Sequence, residues 1–155
     1  MSRVLFICTG NYYRSRFAEA VFNHHAAARA LPWAATSRGL EVQRAEGDLS
    51  VLIVDALFAR GIPRECTGHT RTPLQLSDLE DAIHRIALDR TEHLPLVQQY
   101  FPDWEAQIHF WEVPDADVTA PEEALPAIEA QVLSLLACLT DDSGTRTDRS
   151  PSPKD

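Results

Sequence analysis

The 155-residue sequence is poor in cysteine, with only Cys8, Cys66 and Cys138. An odd number without close, regular spacing excludes a disulfide framework and a cysteine-based zinc site, so all three are expected as free thiols. The six histidines are also scattered. With no His-Glu-x-x-His pattern and no paired ligand spacing, neither a metal nor a cofactor is expected. Positive charge is in deficit: 14 lysines and arginines against 23 acidic residues give a formal net charge of −9. This balance disfavours nucleic acid and anionic membrane surfaces as partners, and it requires that any bound anion be held by local geometry. Long apolar runs are missing too. Residues 4–7 are too short a run for a secretory signal and no stretch approaches a membrane span, so the expectation is a cytoplasmic protein.

What is present suits one folded unit. With 45% hydrophobic and 24% charged residues, a chain of this length buries a single core rather than remaining disordered. Residues 4–7 read as a strand buried on both faces, followed by a turn at Gly10-Asn11. From Ser15 the period changes, and Phe17, Ala18, Val21 and Phe22 recur at helical spacing. Further along, strands are predicted over 33–37, 84–88 and 107–111, and helices over 49–60, ended by Gly61 and Pro63, and 91–100. A last helix is expected to open on a Thr119/Glu122 capping box and to present Ile128, Val132, Leu135 and Leu136 to the core. Pro126 is expected near its first turn or at a kink. The domain so defined spans 1–139, and 140–155, which lacks a hydrophobic anchor, is predicted to be a disordered tail. Strands alternating with helices imply an α/β fold with a parallel sheet covered on both faces, whose ligands bind at the carboxyl ends of the strands.

Cys8 lies at such an end. Cys8 and Arg14 bracket five residues in C-T-G-N-Y-Y-R-S, directly between a strand and a helix; neither Cys66 nor Cys138 has an arginine six places on. A short loop entering a helix turns successive N–H groups inward, and the helix terminus adds partial positive charge, which makes an anion nest. Within it Gly10 permits close approach of the backbone and Asn11 tolerates a left-handed conformation. Arg14 is placed to present its guanidinium bidentately to two oxygens of a phosphate-like anion. The same field favours the thiolate of Cys8, and Ser15 is within reach to hydrogen-bond that sulfur. Taken singly, Cys8 would be an apolar strand-end residue and Arg14 a solvated one. Their shared strand-loop-helix setting argues for a nucleophile and an anion clamp, with Thr9, Gly10, Asn11, Tyr12, Tyr13 and Ser15 as the binding loop.

These residues resemble the signature C-x-G-N-x-C-R-S of the low-molecular-weight protein tyrosine phosphatase family, matching at Cys8, Gly10, Asn11, Arg14 and Ser15. Arg16-Phe17-Ala18-Glu19-Ala20 is similar to the helix that follows in that family, Ser37-Arg38-Gly39 to the end of its second strand, and Ile86-Ala87-Leu88-Asp89 to its third. The resemblance implies a three-layer sandwich with a four-stranded parallel sheet, and a phosphatase that works through a phosphocysteine on a phosphorylated protein or a small phosphate ester. It also implies a general acid at Asp115, in Glu112-Val113-Pro114-Asp115-Ala116-Asp117, where the family carries an Asp-Pro pair followed by an aromatic residue. Read without the resemblance, Asp115 and Asp117 simply favour the N-terminus of the following helix, and Asp117 is the alternative acid.

Departures from the family pattern bear on chemistry and substrate. Tyr13 stands where the signature has its second cysteine, so a disulfide within the loop is unavailable. Tyr12 brings a phenol to a position where the family often has isoleucine, or threonine in members acting on phosphoarginine. Two other readings stay open. An arsenate reductase on the same fold would need two further cysteines as a relay, and Cys66 and Cys138 do not show that spacing. A non-catalytic phosphate-binding module would keep the loop without turnover, with His69, Arg71 and the segment from Trp104 to Trp111 as a partner surface.

Overall fold

The computed structural model describes residues 1–149, and side-chain environments through residue 140. Four strands, β1 (Ser2–Cys8), β2 (Trp33–Gly39), β3 (His84–Ala87) and β4 (His109–Phe110), form one sheet in the order β2-β1-β3-β4. Every pairing is parallel, with Cys8 opposite Gly39 and Ile7 opposite Ala87. The helices are α1 (Arg14–Ala28), α2 (Val51–Ala59), α3 (Leu76–Asp81), α4 (Arg90–Tyr100) and α5 (Pro121–Arg149). The expected α/β sandwich with a four-stranded parallel sheet is therefore the fold observed.

The central strand shows why both faces had to be covered. Val4 and Phe6 enter one core with Phe17, Val21 and Phe22 of α1 and Ile128, Val132 and Leu136 of α5. Leu5 and Ile7 enter a second core, on the other face, with Leu79, Val97, Ile108 and Phe110. Alternate residues of an extended chain point to opposite faces, so four successive apolar residues serve two cores. Each fully buried side chain of this size contributes about 1.5–3 kcal/mol. Because the chain leaves β1 toward β2 on one side and returns to β3 on the other, the carboxyl ends of β1 and β3 form a topological switch point, where α/β sheets leave a crevice for ligands.

Several local expectations are corrected. The strand expected over 107–111 shrinks to His109–Phe110, because Pro102 opens a 3₁₀ segment that runs to Gln107. The helix α3 was not anticipated; six residues are too few for a period, and its capping box is formed by Gln75 and Asp78. Thr119 forms no capping box with Glu122: α5 begins at Pro121, whose missing N–H costs nothing in a first turn, and the Thr119 N–H donates to Asp115 O. Over Pro121–Thr140, α5 does have the length and hydropathy of a membrane span, contrary to expectation. Its apolar character is accounted for by packing, since Ala124, Leu125, Ile128, Val132, Leu136 and Leu139 are buried in the core against α1. The helix also runs past the expected boundary at residue 139 to Arg149, and the remainder of the expected tail, 150–155, lies outside the described residues.

Candidate active site

The loop between β1 and α1 is built as the glycine and asparagine require. Asn11 sits in the left-handed region at φ 53°, a conformation asparagine tolerates better than most residues. Its side chain makes the strain worthwhile: Nδ2 donates to Ser15 Oγ and to Ser37 Oγ, both at 3.0 Å, and Oδ1 accepts from the Thr72 N–H at 2.9 Å. The loop is tied from outside as well, since Cys8 O and Thr9 O accept from the N–H groups of Leu40 and Glu41. Gly39 lies beneath it so closely that a Cβ there would stand 2.8 Å from Thr9 O and 3.0 Å from Asn11 N.

Helix α1 starts at Arg14 with Tyr13 as its N-cap, no side-chain cap and no acidic residue in its first turn. Its first N–H groups thus have no internal competitor for an anion. Cys8, Thr9, Gly10, Tyr12, Tyr13 and Arg14 line a cleft of about 870 Å³, together with Arg44, Glu46, Glu92, Pro95, Leu96, Asp115 and Asp117. That is room for a phosphorylated group with its leaving group, well beyond a lone tetrahedral ion.

Cys8 is buried, and its Sγ lies 2.9 Å from Ser15 Oγ. Arg14 is buried too. Burial alone would lower its pKa, but the charge of Cys8, a hydrogen bond to Glu92, and the charges of Glu92 and Asp115 outweigh that and raise it. Of the expected acids, both Asp115 and Asp117 line the cleft. Asp115 is the one beside Arg14, with Oδ1 3.8 Å from Nε; its side chain is 48% exposed and so reachable by a leaving group or water.

Arg14 is expected to present its guanidinium bidentately to two substrate oxygens. It is instead partly engaged: Nη1 donates to Val113 O at 3.0 Å and Nη2 to Glu92 Oε2 at 2.8 Å. Glu92 and His93, both on α4, were missed; nothing in a run from Thr91 to Tyr100 read only for its helical period marks two of its polar residues as facing a loop some eighty positions away. A second polar layer lies under the loop. His69 Nε2 is 2.8 Å from Glu19 Oε1 and 3.2 Å from Ser37 Oγ, and the buried Arg16 donates to Thr67 Oγ1, Thr67 O and Asn11 O. His69 therefore supports the loop instead of lining a partner surface. Arg71 likewise donates to the carbonyls of Gly47 and Val42, Trp104 stacks against Arg85, and Trp111 packs on Phe6.

Cys66 is half-buried and Cys138 exposed. Burial, then the charges of Glu65 and Glu19, push the Cys66 thiol above its ordinary value. Cys138 lines a separate cavity with Ile83, His84 and His109, residues at the amino ends of β3 and β4. It is at the opposite end of the sheet from Cys8.

The chain matches the family model described as low molecular weight phosphotyrosine protein phosphatase over residues 3–143. Among solved structures it is similar to the low molecular weight protein tyrosine phosphatase from T. tengcongensis, at 27% identity and a TM-score of 0.75, covering 88% of this chain and 99% of that one. It is similar to YfkJ from Bacillus subtilis, at 25% identity and a TM-score of 0.78, covering 92% and 96%. The YwlE arginine phosphatase from Geobacillus stearothermophilus shares the fold at 23% identity and a TM-score of 0.70, covering 97% of each chain. No curated protein matches the chain.

Proposed function

Since the chain belongs to the low molecular weight phosphotyrosine protein phosphatase family, we propose that its cleft hydrolyses a phosphate monoester through a cysteinyl-phosphate, with Cys8 as nucleophile, Arg14 as oxyanion clamp and Asp115 as general acid. The observation that carries this reading is the contact of Cys8 Sγ with Ser15 Oγ at 2.9 Å, at the uncapped start of the helix that also bears Arg14.

In the first step the Cys8 sulfur forms a bond to phosphorus while the ester P–O bond breaks, and Asp115 gives its proton to the departing oxygen. The loop N–H groups and the free N–H groups of Arg14 hold the equatorial oxygens, where charge is spread in transfer. In the second step Asp115, now a carboxylate, takes a proton from water; the water oxygen bonds to phosphorus and the P–S bond breaks. Ser15 donates its hydroxyl proton in a hydrogen bond to the leaving sulfur. The products are an alcohol or phenol and orthophosphate. Glu92 is unsuited to the acid's part. Burial opposes its ionisation, but hydrogen bonds from His93, Arg14 and Thr9 and the Arg14 charge hold its carboxyl far below the usual range, so it carries no proton to give.

Tyr12, Pro95, Leu96 and Val118 give the cleft apolar walls, which favour an aromatic leaving group such as that of phosphotyrosine. The relay form of arsenate reduction has less support, because Cys138 lies at the far end of the sheet from Cys8. Hydrolysis of an aryl phosphate, with rapid-quench trapping of alkali-stable label on the protein, tests the chemistry: Cys8→Ser is expected to lose turnover, and retained turnover would exclude the mechanism. Asp115→Ala should slow esters with poor leaving groups more than activated ones. A phosphotyrosine peptide is expected to be cleaved with a higher kcat/KM than its phosphoserine counterpart; equal values would remove the preference for an aromatic ester.

A further inference from the structure

Arg14 is held on two sides, by Val113 O and by Glu92 Oε2. A guanidinium has five N–H donors. These two contacts leave Nε–H and one N–H on each terminal nitrogen.

Glu92 is in turn held by a chain of donors that runs in one direction. The Asp89 N–H donates to His93 Nδ1 at 3.0 Å. An imidazole nitrogen that accepts carries no proton, so the neutral ring has its N–H on Nε2. Nε2–H donates to Thr9 Oγ1 at 3.1 Å and lies 3.4 Å from Glu92 Oε2. Thr9, its oxygen occupied by His93, donates its own hydroxyl proton to Glu92 Oε2. The same Oε2 accepts from Arg14 at 2.8 Å. The chain crosses from α4 to the anion loop and back to α4, where Glu92 meets Arg14 of α1, and His93 within it is wholly buried.

An acidic residue in the first turn of a helix ordinarily serves the helix dipole, and Glu92 is in the first turn of α4. That role does not require its carboxylate to meet Arg14 and Thr9. A carboxylate lining a cleft for a phosphate dianion also repels that dianion. Its presence makes chemical sense where orientation of the clamp during transfer outweighs affinity for the resting anion.

We propose that Glu92 is the positioning residue for Arg14: it fixes the guanidinium so that the remaining N–H groups face the phosphoryl oxygens as they spread in transfer, with Thr9 and His93 holding Glu92 in place. The inference rests on the phosphatase reading above. Its signature is a division between the kinetic constants. Without Glu92 the loop amides still bind phosphate and a repelling charge is gone, so KM should stay level or fall while kcat drops.

The test is steady-state hydrolysis of an aryl phosphate by the full chain, with inhibition by inorganic phosphate and a thermal melt for each variant. For Glu92→Ala, kcat is expected to fall about tenfold or more, with KM and the phosphate inhibition constant unchanged or lower. Glu92→Gln keeps an oxygen for Arg14 but sets an amide against the Thr9 hydroxyl, and should lie between. Thr9→Val breaks the link from His93 without touching Arg14, and should move kcat in the same direction by less; these two variants carry the test if Glu92→Ala does not fold. A kcat within about twofold of the parent in the folded variants, or a rise in KM at constant kcat, would overturn the proposal. Loss of Cys8-dependent turnover in the parent chain itself would instead remove the phosphatase reading and this one together.

Discussion

At the scale of single residues, Tyr13 shows how far the loop departs from its signature without losing its shape. It is 6% exposed, and its hydroxyl is buried with no hydrogen-bond partner among the described residues. Burial and the nearby Asp115 charge push the phenol above its ordinary pKa, so it stays neutral wherever the enzyme folds. A buried hydroxyl left unpaired costs roughly 1–3 kcal/mol. Tyr13→Phe should therefore be as stable as the parent or up to about 1 kcal/mol more stable, seen as an equal or higher denaturant midpoint at constant slope; a clear loss would reveal a partner for the hydroxyl. The chemistry of Cys8, Arg14 and Ser15 was legible because their spacing and the change from strand to helix lie within one short stretch. Glu92, His93, Ser37 and His69 were not, because each becomes part of the site only through a contact with a residue 18 or more positions away, between elements whose approach the local pattern does not specify.

At the scale of elements, the site depends on how closely β2 passes under the anion loop. Gly39 ends β2 opposite Cys8, and a Cβ there would meet Val42 Cγ1 at 2.7 Å as well as backbone atoms of Thr9 and Asn11. Backbone does not yield as a flexible side chain does. Gly39→Ala is expected to destabilise the fold by about 1–3 kcal/mol and to weaken inhibition by inorganic phosphate, measured by denaturation and by steady-state kinetics; unchanged phosphate inhibition would mean that the strand end and the loop are independent. The strongly apolar, uninterrupted residues of β1 and the periodic residues of α1 announced these elements. The six-residue α3 did not, since it is too short to show a period, and β4 was announced over 107–111 but keeps only His109–Phe110; both are defined by what they pack against, since Phe110 and Leu79 enter the same core as Leu5 and Ile7.

At the scale of the whole molecule, a net charge of −9 means that an anion is attracted only locally, by loop amides and one clamped arginine, and that the clamp ties folding to pH. Burial pushes His93 below its ordinary value near 6.5, and hydrogen bonds hold Glu92 below its ordinary value near 4.5. In both cases the unfolded chain takes up a proton that the folded chain refuses, so stability is greatest above the ordinary value and is lost as the pH falls through it toward the folded one. His25, lowered by burial and by His24 and Arg29, adds in the same direction. Denaturant unfolding is expected to show a decline beginning below about pH 6.5, reduced in His93→Gln, and a further one below about pH 4.5, reduced in Glu92→Gln; stability constant from pH 7 to 4 would contradict the assignment. The sequence by itself determined the alternation of strand and helix and the loop that bears the proposed nucleophile, because these follow from residue type at short range. Only the tertiary structure decided which groups hold Arg14, which acid stands beside it, and which thiols lie out of reach, because those relations are set by how distant elements pack across the carboxyl edge of the sheet.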